Sequence, residues 1–171
     1  MKFSIIFARD IKLGGFGIIN NKLPWNIKED LQYFKNITSQ NKNSVLIMGR
    51  NTYESMGLLK NRISIVVTKS RINEGNILTA NSLDTALKIA FNLNPNIFVI
   101  GGSRLLHEAF DHPALETIYE TQIKLKSNPS YTTFFIDEIP SRFKNINETS
   151  LITDDFELKW VRYNTTQYSA E

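Results

Sequence analysis

The stretch Asn21–Lys35, with the sequence NKLPWNIKEDLQYFK, decides how the amino-terminal part of the chain folds. Pro24 is not tolerated inside a helix, whereas the side-chain oxygen of Asn26 can cap one. We therefore predict a helix that begins just after Trp25 and runs through the rest of the stretch.

Asp30 lies on the apolar face of this predicted helix. That face consists of residues that recur at helical spacing and are expected to be buried, namely Ile27, Leu31, Phe34 and Ile37. A carboxylate on such a face needs a hydrogen-bond donor or a proton, because burying an unpaired charge is costly. Asp30 is therefore a candidate functional acid. The residues alone leave an alternative open, in which the charge of Asp30, like that of Glu29, only interacts favourably with the positive end of the helix dipole.

The composition is that of one soluble domain. With 171 residues, of which 42% are hydrophobic, the chain can bury one sizeable core. The apolar runs are too short for a signal peptide or a membrane span. We therefore expect a cytoplasmic protein without a membrane partner.

The composition also argues against several kinds of site. The chain has no cysteine, which excludes disulfides, thiolate metal ligands and a cysteine nucleophile. It has two histidines and no evident cluster of carboxylates, so we predict no metal site. The net charge is +3, but the Lys and Arg residues are scattered and no basic tract is interleaved with aromatics. We expect no nucleic-acid partner.

A predicted strand at Ser44–Met48 ends in a turn that could hold a phosphate. Gly49 lets the backbone turn closely, and a helix that opens there offers free amide donors beside Arg50 and Thr52. Taken by itself, an ordinary strand-to-helix turn with a solvated arginine is the favoured interpretation.

Two more predicted strands end in ligand-binding groups. Asn96–Ile100 is followed by Gly101-Gly102 and a helix, and paired glycines with a helix dipole favour a pyrophosphate. Ile63–Thr68 leads into hydroxyls and cations at Thr68–Arg71, and the carboxyl ends of strands form the usual ligand edge of an α/β sheet. For the glycine pair, the functional interpretation is preferred over the structural one.

The remaining pattern predicts an α/β domain with a mainly parallel sheet and antiparallel edge strands in the carboxyl third. Gly14–Asn21 is expected to form a mobile lid, and Ser82 to cap a helix with Leu83, Ala86, Leu87 and Ala90 inward. Further strands are predicted at Lys2–Ala8, Ile77–Thr79, Glu116–Ile123, Thr132–Ile136 and Phe156–Tyr163.

Three motifs occur in the order and spacing seen in dihydrofolate reductases: Leu23-Pro24-Trp25 before Asp30, Met48-Gly49-Arg50 before Thr52, and Ile100-Gly101-Gly102-Ser103. With Arg62, Lys69 and Thr121 they extend from residue 3 to about residue 136, and over this region the chain resembles that family. The resemblance implies a central, mostly parallel eight-stranded sheet flanked by helices, in a single domain over residues 1–171. It also implies the reduction of 7,8-dihydrofolate to tetrahydrofolate by NADPH.

The resemblance implies that Asp30 binds the amidine edge of the pterin and promotes its protonation at N5. Thr121 resembles the strand threonine that hydrogen-bonds this carboxylate, and Leu23 and Trp25 belong to the same catalytic set. Arg62 resembles the arginine that pairs with the glutamate α-carboxylate of the substrate. The other implied substrate-binding residues are Ile6, Phe7, Leu31, Phe34, Met56, Leu59 and Ile100. Diaminopyrimidine and diaminopteridine antifolates are the expected inhibitors.

The resemblance also implies NADPH as the cofactor. Arg50, Thr68 and Lys69 resemble the pocket for its 2′-phosphate, and Ala8 and Leu23 flank the nicotinamide. The full set of implied cofactor-binding residues is Ala8, Leu23, Gly49, Arg50, Asn51, Thr52, Thr68, Lys69, Ser70, Gly101, Gly102, Ser103, Arg104 and Leu105.

The chain departs from the family pattern at several positions. Leu106 stands where a tyrosine is common near the nicotinamide, and Lys60-Asn61 stands where many relatives carry Pro-Gly. An aspartate that often ties a distal loop to the lid is replaced near Tyr131. The family usually adds one more hairpin strand beyond Phe156–Tyr163. That strand is either absent or part of a longer chain, such as a fusion to thymidylate synthase; without a fusion we expect a monomer.

Two alternative functions remain at this point. A related pyrimidine or pterin reductase of riboflavin synthesis shares the sheet, although Asp30 after Leu-Pro-Trp argues against it. A folate-binding or assembly module without turnover is the alternative from another class, motivated by Leu106 and the short carboxyl end.

Overall fold

The computed structural model describes residues 1–11, 25–75, 77–127 and 138–166. Its strands are β1 Phe3–Asp10, β2 Ser44–Gly49, β3 Arg62–Val67, β4 Leu78–Ala80, β5 Ile97–Gly101, β6 Leu115–Leu125, β7 Phe143–Ile152 and β8 Phe156–Thr165. Its helices are α1 Lys28–Thr38, α2 Arg50–Met56, α3 Leu83–Leu93 and α4 Ser103–Phe110.

The eight strands form one sheet in the order β4-β3-β2-β5-β1-β6-β8-β7. The strands from β4 to β6 pair in parallel, whereas β8 pairs antiparallel with both β6 and β7. This arrangement confirms the predicted eight-stranded, mostly parallel α/β fold with antiparallel strands at the carboxyl end.

The helices cover both faces of the sheet, as a parallel sheet requires. Buried residues of α3 and α4 pack with Ile5 and Val99 in the larger core cluster. Side chains of α1 and α2 pack over Ile6 and Leu46 on the opposite face. The predicted cap of α3 is confirmed, since Ser82 Oγ accepts a hydrogen bond from the Thr85 amide at 3.1 Å. Its predicted inward stripe is buried as well.

Helix α1 begins one residue later than the sequence predicts. The N-cap is Ile27 and it makes no side-chain capping bond, so the prediction of Asn26 as the cap is wrong. Asn26 lies one position before the residue whose backbone turns into the helix. The predicted buried stripe is also only partly correct, because Leu31 is 51% exposed.

Strand β7 was not predicted from the sequence. Seven consecutive residues from Lys144 to Ser150 are exposed, so this edge strand carries no apolar alternation that could reveal it. The antiparallel partner of β8 therefore precedes it in the chain as β7, whereas the family resemblance led us to expect a further strand beyond Phe156–Tyr163, either absent or part of a longer chain. The predicted lid at Gly14–Asn21, the position of Tyr131 and the predicted strand Thr132–Ile136 lie outside the described residues.

A buried ion pair joins β1 to β6 on the face of the sheet that α3 and α4 cover. Arg9 Nη2 lies 2.6 Å from Glu120 Oε2, and the Glu120 side chain is fully buried. The Tyr163 hydroxyl donates to Glu120 Oε1 at 3.3 Å, and Gln122 Nε2 donates to the same atom at 2.5 Å. Burial and the charge of Glu120 raise the pKa of Tyr163 to about 12.

Among the described residues, no helix is long and apolar enough to span a membrane.

Candidate active site

A cavity of about 1140 Å³ opens along the carboxyl ends of the parallel strands. Its walls include strand residues Ala8, Gly49, Val67, Ile100 and Thr121, together with residues of α1, α2 and α4. Ligands in open α/β sheets bind at this edge of the sheet. Its size and position make the cavity the candidate active site.

Asp30 is the buried acid of this cavity. Its side chain projects from α1 into the cavity wall, and the residue is only 8% exposed. Burial raises the pKa of Asp30, and this effect outweighs the hydrogen bond from the Thr121 hydroxyl and the interaction with the Trp160 indole N–H, which both lower that pKa. The carboxyl group therefore takes up a proton more readily than an exposed aspartate would. The sequence-based interpretation of Asp30 as more than a helix-terminal acid is supported.

The walls around Asp30 are mainly apolar. Leu31 and Phe34 come from the same helix, Met56 from the end of α2, and Ile6 and Ile100 from the central strands. Leu31 lines the opening of this cavity, and this explains why an apolar side chain on α1 is exposed instead of packed in the core. An elongated, partly aromatic ligand would complete the packing of these side chains.

The other part of the cavity is polar. Strands β3 and β4 are neighbours in the sheet, and each is followed by two polar residues that line the cavity. These residues are Thr68 and Lys69 after β3, and Asn81 and Ser82 after β4. A lysine surrounded by hydroxyl and amide groups suits an anionic group such as a phosphate. The predicted role of residues 68–71 as a ligand edge fits this geometry for Thr68 and Lys69, whereas Ser70 does not line the cavity.

Two glycine turns meet between these two parts of the cavity. A Cβ atom on Gly49 would lie 3.5 Å from the Gly102 amide nitrogen, and a Cβ atom on Gly102 would lie 3.7 Å from Thr52 Oγ1. Gly101 has a φ of 137°, which favours glycine. The amino terminus of α4 at Ser103 opens directly beyond, and Gly102, Ser103, Arg104 and Leu105 line the cavity. Close backbone approach by a charged ligand is possible here.

Arg50 occupies a different place from the one expected. Its Nε atom donates to Glu54 Oε1 at 2.9 Å, one helical turn along α2, and Arg50 is not among the residues lining the cavity. Its neighbours Asn51 and Thr52 do line it. The spacing of the two residues was an available signal in the sequence, because an arginine and a glutamate four residues apart attract each other on any helix.

Arg62 and Leu59 also lie beside the cavity rather than in its wall. Arg62 Nη1 donates to Thr38 Oγ1 at 3.0 Å, and Thr38 donates in turn to the Phe34 carbonyl at 2.8 Å. Burial lowers the pKa of Arg62. Leu59 packs against the core cluster beneath α1. The arginine is thus oriented by the end of the helix that carries Asp30.

Several cavity residues were missed by the sequence analysis. They are Asn26, Tyr33, Ser55, Val67, Asn81, Ser82 and Glu108, and the first four are chain neighbours of residues that were identified. Tyr33 could have been found, since it lies three residues after Asp30 and so shares its side of the helix. Ser82 was identified only as a cap. Leu23, one of the expected residues, lies outside the described part, whereas Trp25 is 7% exposed and lines the cavity.

The described residues offer little to a metal ion. They contain no group of three or more His, Cys, Asp or Glu side chains that could hold a metal ion. His112 is partly buried and its Nε2 lies 3.2 Å from Asp84 Oδ1. Neither histidine of the chain is among the residues of the cavity wall.

The sequence profile described as dihydrofolate reductase matches residues 2–168. The chain belongs to the dihydrofolate reductase family. The dihydrofolate reductase of Pneumocystis carinii is 38% identical over 125 residues, and the match covers 61% of this chain and 61% of that protein. The dihydrofolate reductase of Drosophila melanogaster is 35% identical over 161 residues, covering 85% of each chain.

A solved structure supports the same relationship. The dihydrofolate reductase from Enterococcus faecalis, complexed with NADP(H) and RAB-propyl, superposes with a TM-score of 0.81 at 26% identity and covers 96% of both chains. For a member of the dihydrofolate reductase family, the position of Leu106 is notable. It is fully buried in the core shared by α3 and α4 and is not among the residues that line the cavity.

Proposed function

We propose that this chain catalyses the reduction of 7,8-dihydrofolate to tetrahydrofolate with NADPH. The proposal depends on the position of Asp30, whose buried carboxyl group lies in the wall of a large cavity. The cavity wall is mainly apolar near Asp30 and polar at its other end. Reduction of an imine needs a proton and a dry pocket, and this arrangement supplies both requirements.

The substrate would bind against α1 and the central strands. Asp30 and the Thr121 hydroxyl would hold the amidine edge of the pterin, with the backbone carbonyls of Ile6 and Ile100 as further acceptors. Phe34 and Met56 would pack on the rings and exclude water. Arg62, oriented by Thr38, would pair with the carboxylate at the far end of the substrate.

The cofactor would occupy the polar part of the cavity and the glycine turns. The residues present fit a phosphorylated dinucleotide, because Lys69, Thr68 and Ser82 offer a cation and hydroxyls at one end, and the amide end of α4 beyond Gly102 offers donors for a pyrophosphate. When bound, NADPH supplies the hydride. Arg50 would join this site only by leaving Glu54.

The proton is the part of the reaction that the chain itself must manage. Because burial raises the pKa of Asp30, its neutral form is more accessible near physiological pH than that of an ordinary aspartate. The Thr121 hydroxyl fixes the carboxyl group while a proton passes to the pterin edge. Trp25 and Phe34 help to keep bulk water away from this step.

The decisive experiment is the loss of NADPH absorbance with dihydrofolate as substrate, for the parent, Asp30→Asn and Glu29→Gln. Glu29 is the exposed neighbour of Asp30 and serves as the matched control. We expect the parent and the control to turn over alike and Asp30→Asn to lose activity by orders of magnitude near neutral pH, because the amide carries no titratable proton.

Two outcomes would overturn the proposal. Asp30→Asn activity within a few-fold of the parent would remove Asp30 from the reaction. A parent that binds dihydrofolate without turnover, or that reduces a pyrimidine intermediate of riboflavin synthesis in preference, would replace the proposed reaction with one of the alternatives.

We also propose that the protein acts in the cytoplasm as a monomer, binds no nucleic acid, and is inhibited by diaminopyrimidine and diaminopteridine antifolates. The inhibitor proposal is supported by the buried carboxylate of Asp30, which a protonated diamino ring would satisfy. Gel filtration of the purified chain tests the monomeric state.

A further inference from the structure

Trp160 on β8 lies beside the acid of the candidate active site. It pairs in register with Thr121 of β6, and directly opposed residues of antiparallel strands project from the same face of a sheet. Thr121 hydrogen-bonds the Asp30 carboxyl group. The indole of Trp160 is therefore the next side chain along this face, on the side of Asp30 away from β1.

The contacts of Trp160 orient its ring toward α1. Its ring lies 5.5 Å from the Tyr33 ring, centroid to centroid, with an angle of 31° between the planes. Tyr33 is one helical turn from Asp30. Trp160 also packs against the small cluster that contains Trp25 and Ile27, immediately before the same helix. The indole is thus clamped against the first turns of α1.

The indole N–H is the polar group left over by this packing. Its Nε1 atom is buried and forms no hydrogen bond of ordinary length and angle within the described residues. It nevertheless interacts with the Asp30 carboxyl group and lowers the pKa of that group, which favours the charged carboxylate. The contact is therefore longer or less well aligned than a full hydrogen bond. A buried N–H gains most when a charged acceptor is the partner, so this contact is the available way to satisfy it.

We propose that Trp160 is a positioning residue that acts as a second donor to the Asp30 carboxylate, beside Thr121. Two donors from neighbouring strands hold the carboxylate from the sheet side and leave its other edge toward the cavity. Its importance for catalysis rests on the proposed function, but the interaction itself does not. The alternative is that Trp160 only fills space between β8 and α1.

Two tyrosines and an arginine are the further titratable or charged groups linked to Asp30. Tyr33 lies on its own helix, and burial raises the pKa of Tyr33 to about 12, so that residue stays neutral through the range of interest. Tyr119 on β6 and Arg162 on β8 also act on Tyr33, and the Arg162 guanidinium lies 5.5 Å over the Tyr119 ring. Titration near neutral or acid pH seen at Trp160 would therefore report Asp30.

The test is an NMR titration of the full chain without any substrate. The sequence has two tryptophans, so ¹⁵N-labelled tryptophan gives two indole signals, which Trp160→Phe assigns. We expect the Trp160 Nε1 signal to shift with a single midpoint that equals the midpoint of the ¹³C-labelled Asp30 carboxyl group. The shift should vanish in Asp30→Asn.

The reciprocal measurement follows the Asp30 carboxyl group in Trp160→Phe. Loss of the donor should move its midpoint upward by about half a pH unit to one unit. If Trp160 only fills space, phenylalanine preserves most of its packing, and the Asp30 midpoint should stay unchanged. If neither indole signal of the parent depends on pH, the proposal is overturned even if Trp160→Phe does not fold. An unchanged Asp30 midpoint in folded Trp160→Phe overturns it as well. NADPH oxidation tests the proposed function separately.

Discussion

Glu54 on α2 holds the guanidinium of Arg50 through a 2.9 Å hydrogen bond between Arg50 Nε and Glu54 Oε1. Both side chains are nearly half exposed, so the pair is a surface ion pair rather than a buried one. If Arg50 contributes to the 2′-phosphate site, Glu54 competes with the phosphate for the same cation.

Glu54→Gln should strengthen NADPH binding and leave NADH binding unchanged. Exposed ion pairs are worth about 0.2–1 kcal/mol, so releasing Arg50 should lower the Kd for NADPH by a factor of about five or less. Fluorescence titration with both cofactors measures the effect, and Glu29→Gln is the control. A parallel change for NADPH and NADH would mean that Arg50 does not approach the phosphate.

Lys69→Gln should weaken NADPH binding by roughly tenfold or less and have little effect on NADH. Lys69 is an exposed cation in the polar part of the cavity, so its attraction to a phosphate is screened by salt. The preference of the parent for NADPH should accordingly shrink as the salt concentration rises. Lys88→Gln, at an exposed position of α3, provides the comparison. Equal efficiency with both cofactors at low salt would contradict the assignment of Lys69.

Asp30→Asn should weaken a diaminopteridine by at least roughly 1.5–3 kcal/mol, the usual contribution of a hydrogen bond to a charged group. A protonated diamino ring can form a bidentate pair with the Asp30 carboxylate, which the amide cannot replace. NADPH binding should change much less. Calorimetry on both proteins measures the two affinities, and equal diaminopteridine binding would show that Asp30 does not face the ligand.

The stability of the chain should also depend on Asp30 in a pH-dependent way. Because the folded-state pKa of Asp30 is raised, the unfolded chain releases this proton first, and the parent loses stability as pH rises from the unfolded pKa through the folded pKa. Asp30→Asn should escape this loss. Its stability relative to the parent should therefore increase above about pH 4, as urea unfolding across a pH series would reveal. A pH-independent difference between the two proteins would contradict the raised pKa.

The sequence predicted those features that follow from local periodicity. Asp30 could be identified because helical spacing places it among apolar residues, and the strands β2, β3 and β5 because each is a short apolar run. Thr121 came from family resemblance, whereas Lys69 was also indicated by its place at the carboxyl end of a predicted strand. The cavity lined by these residues joins segments that are far apart in the chain.

The remaining features depend on pairing and packing that no single segment encodes. Strand β7 is polar along most of its length and is a strand because β8 offers its edge. Trp160 reaches Asp30 only through the register of β8 with β6. Arg50 points to Glu54 because the two opposite charges form an ion pair on the surface of α2. The pairing of β7 with β8 and the approach of Trp160 to Asp30 have no signature within one stretch of sequence, whereas the four-residue spacing of Arg50 and Glu54 does.

The buried pair of Arg9 and Glu120 restricts the paths by which this chain can change over evolutionary time. Replacing either partner alone leaves a charge without its counterpart in the core, which typically costs about 3–5 kcal/mol, whereas replacing both by apolar residues is often neutral. Each single step therefore passes through a form close to the limit of stability. Since Ala8 and Thr121 are the chain neighbours of these two residues and line the cavity, the pair also keeps the adjoining wall from drifting. The two positions are expected to be inherited together or exchanged together.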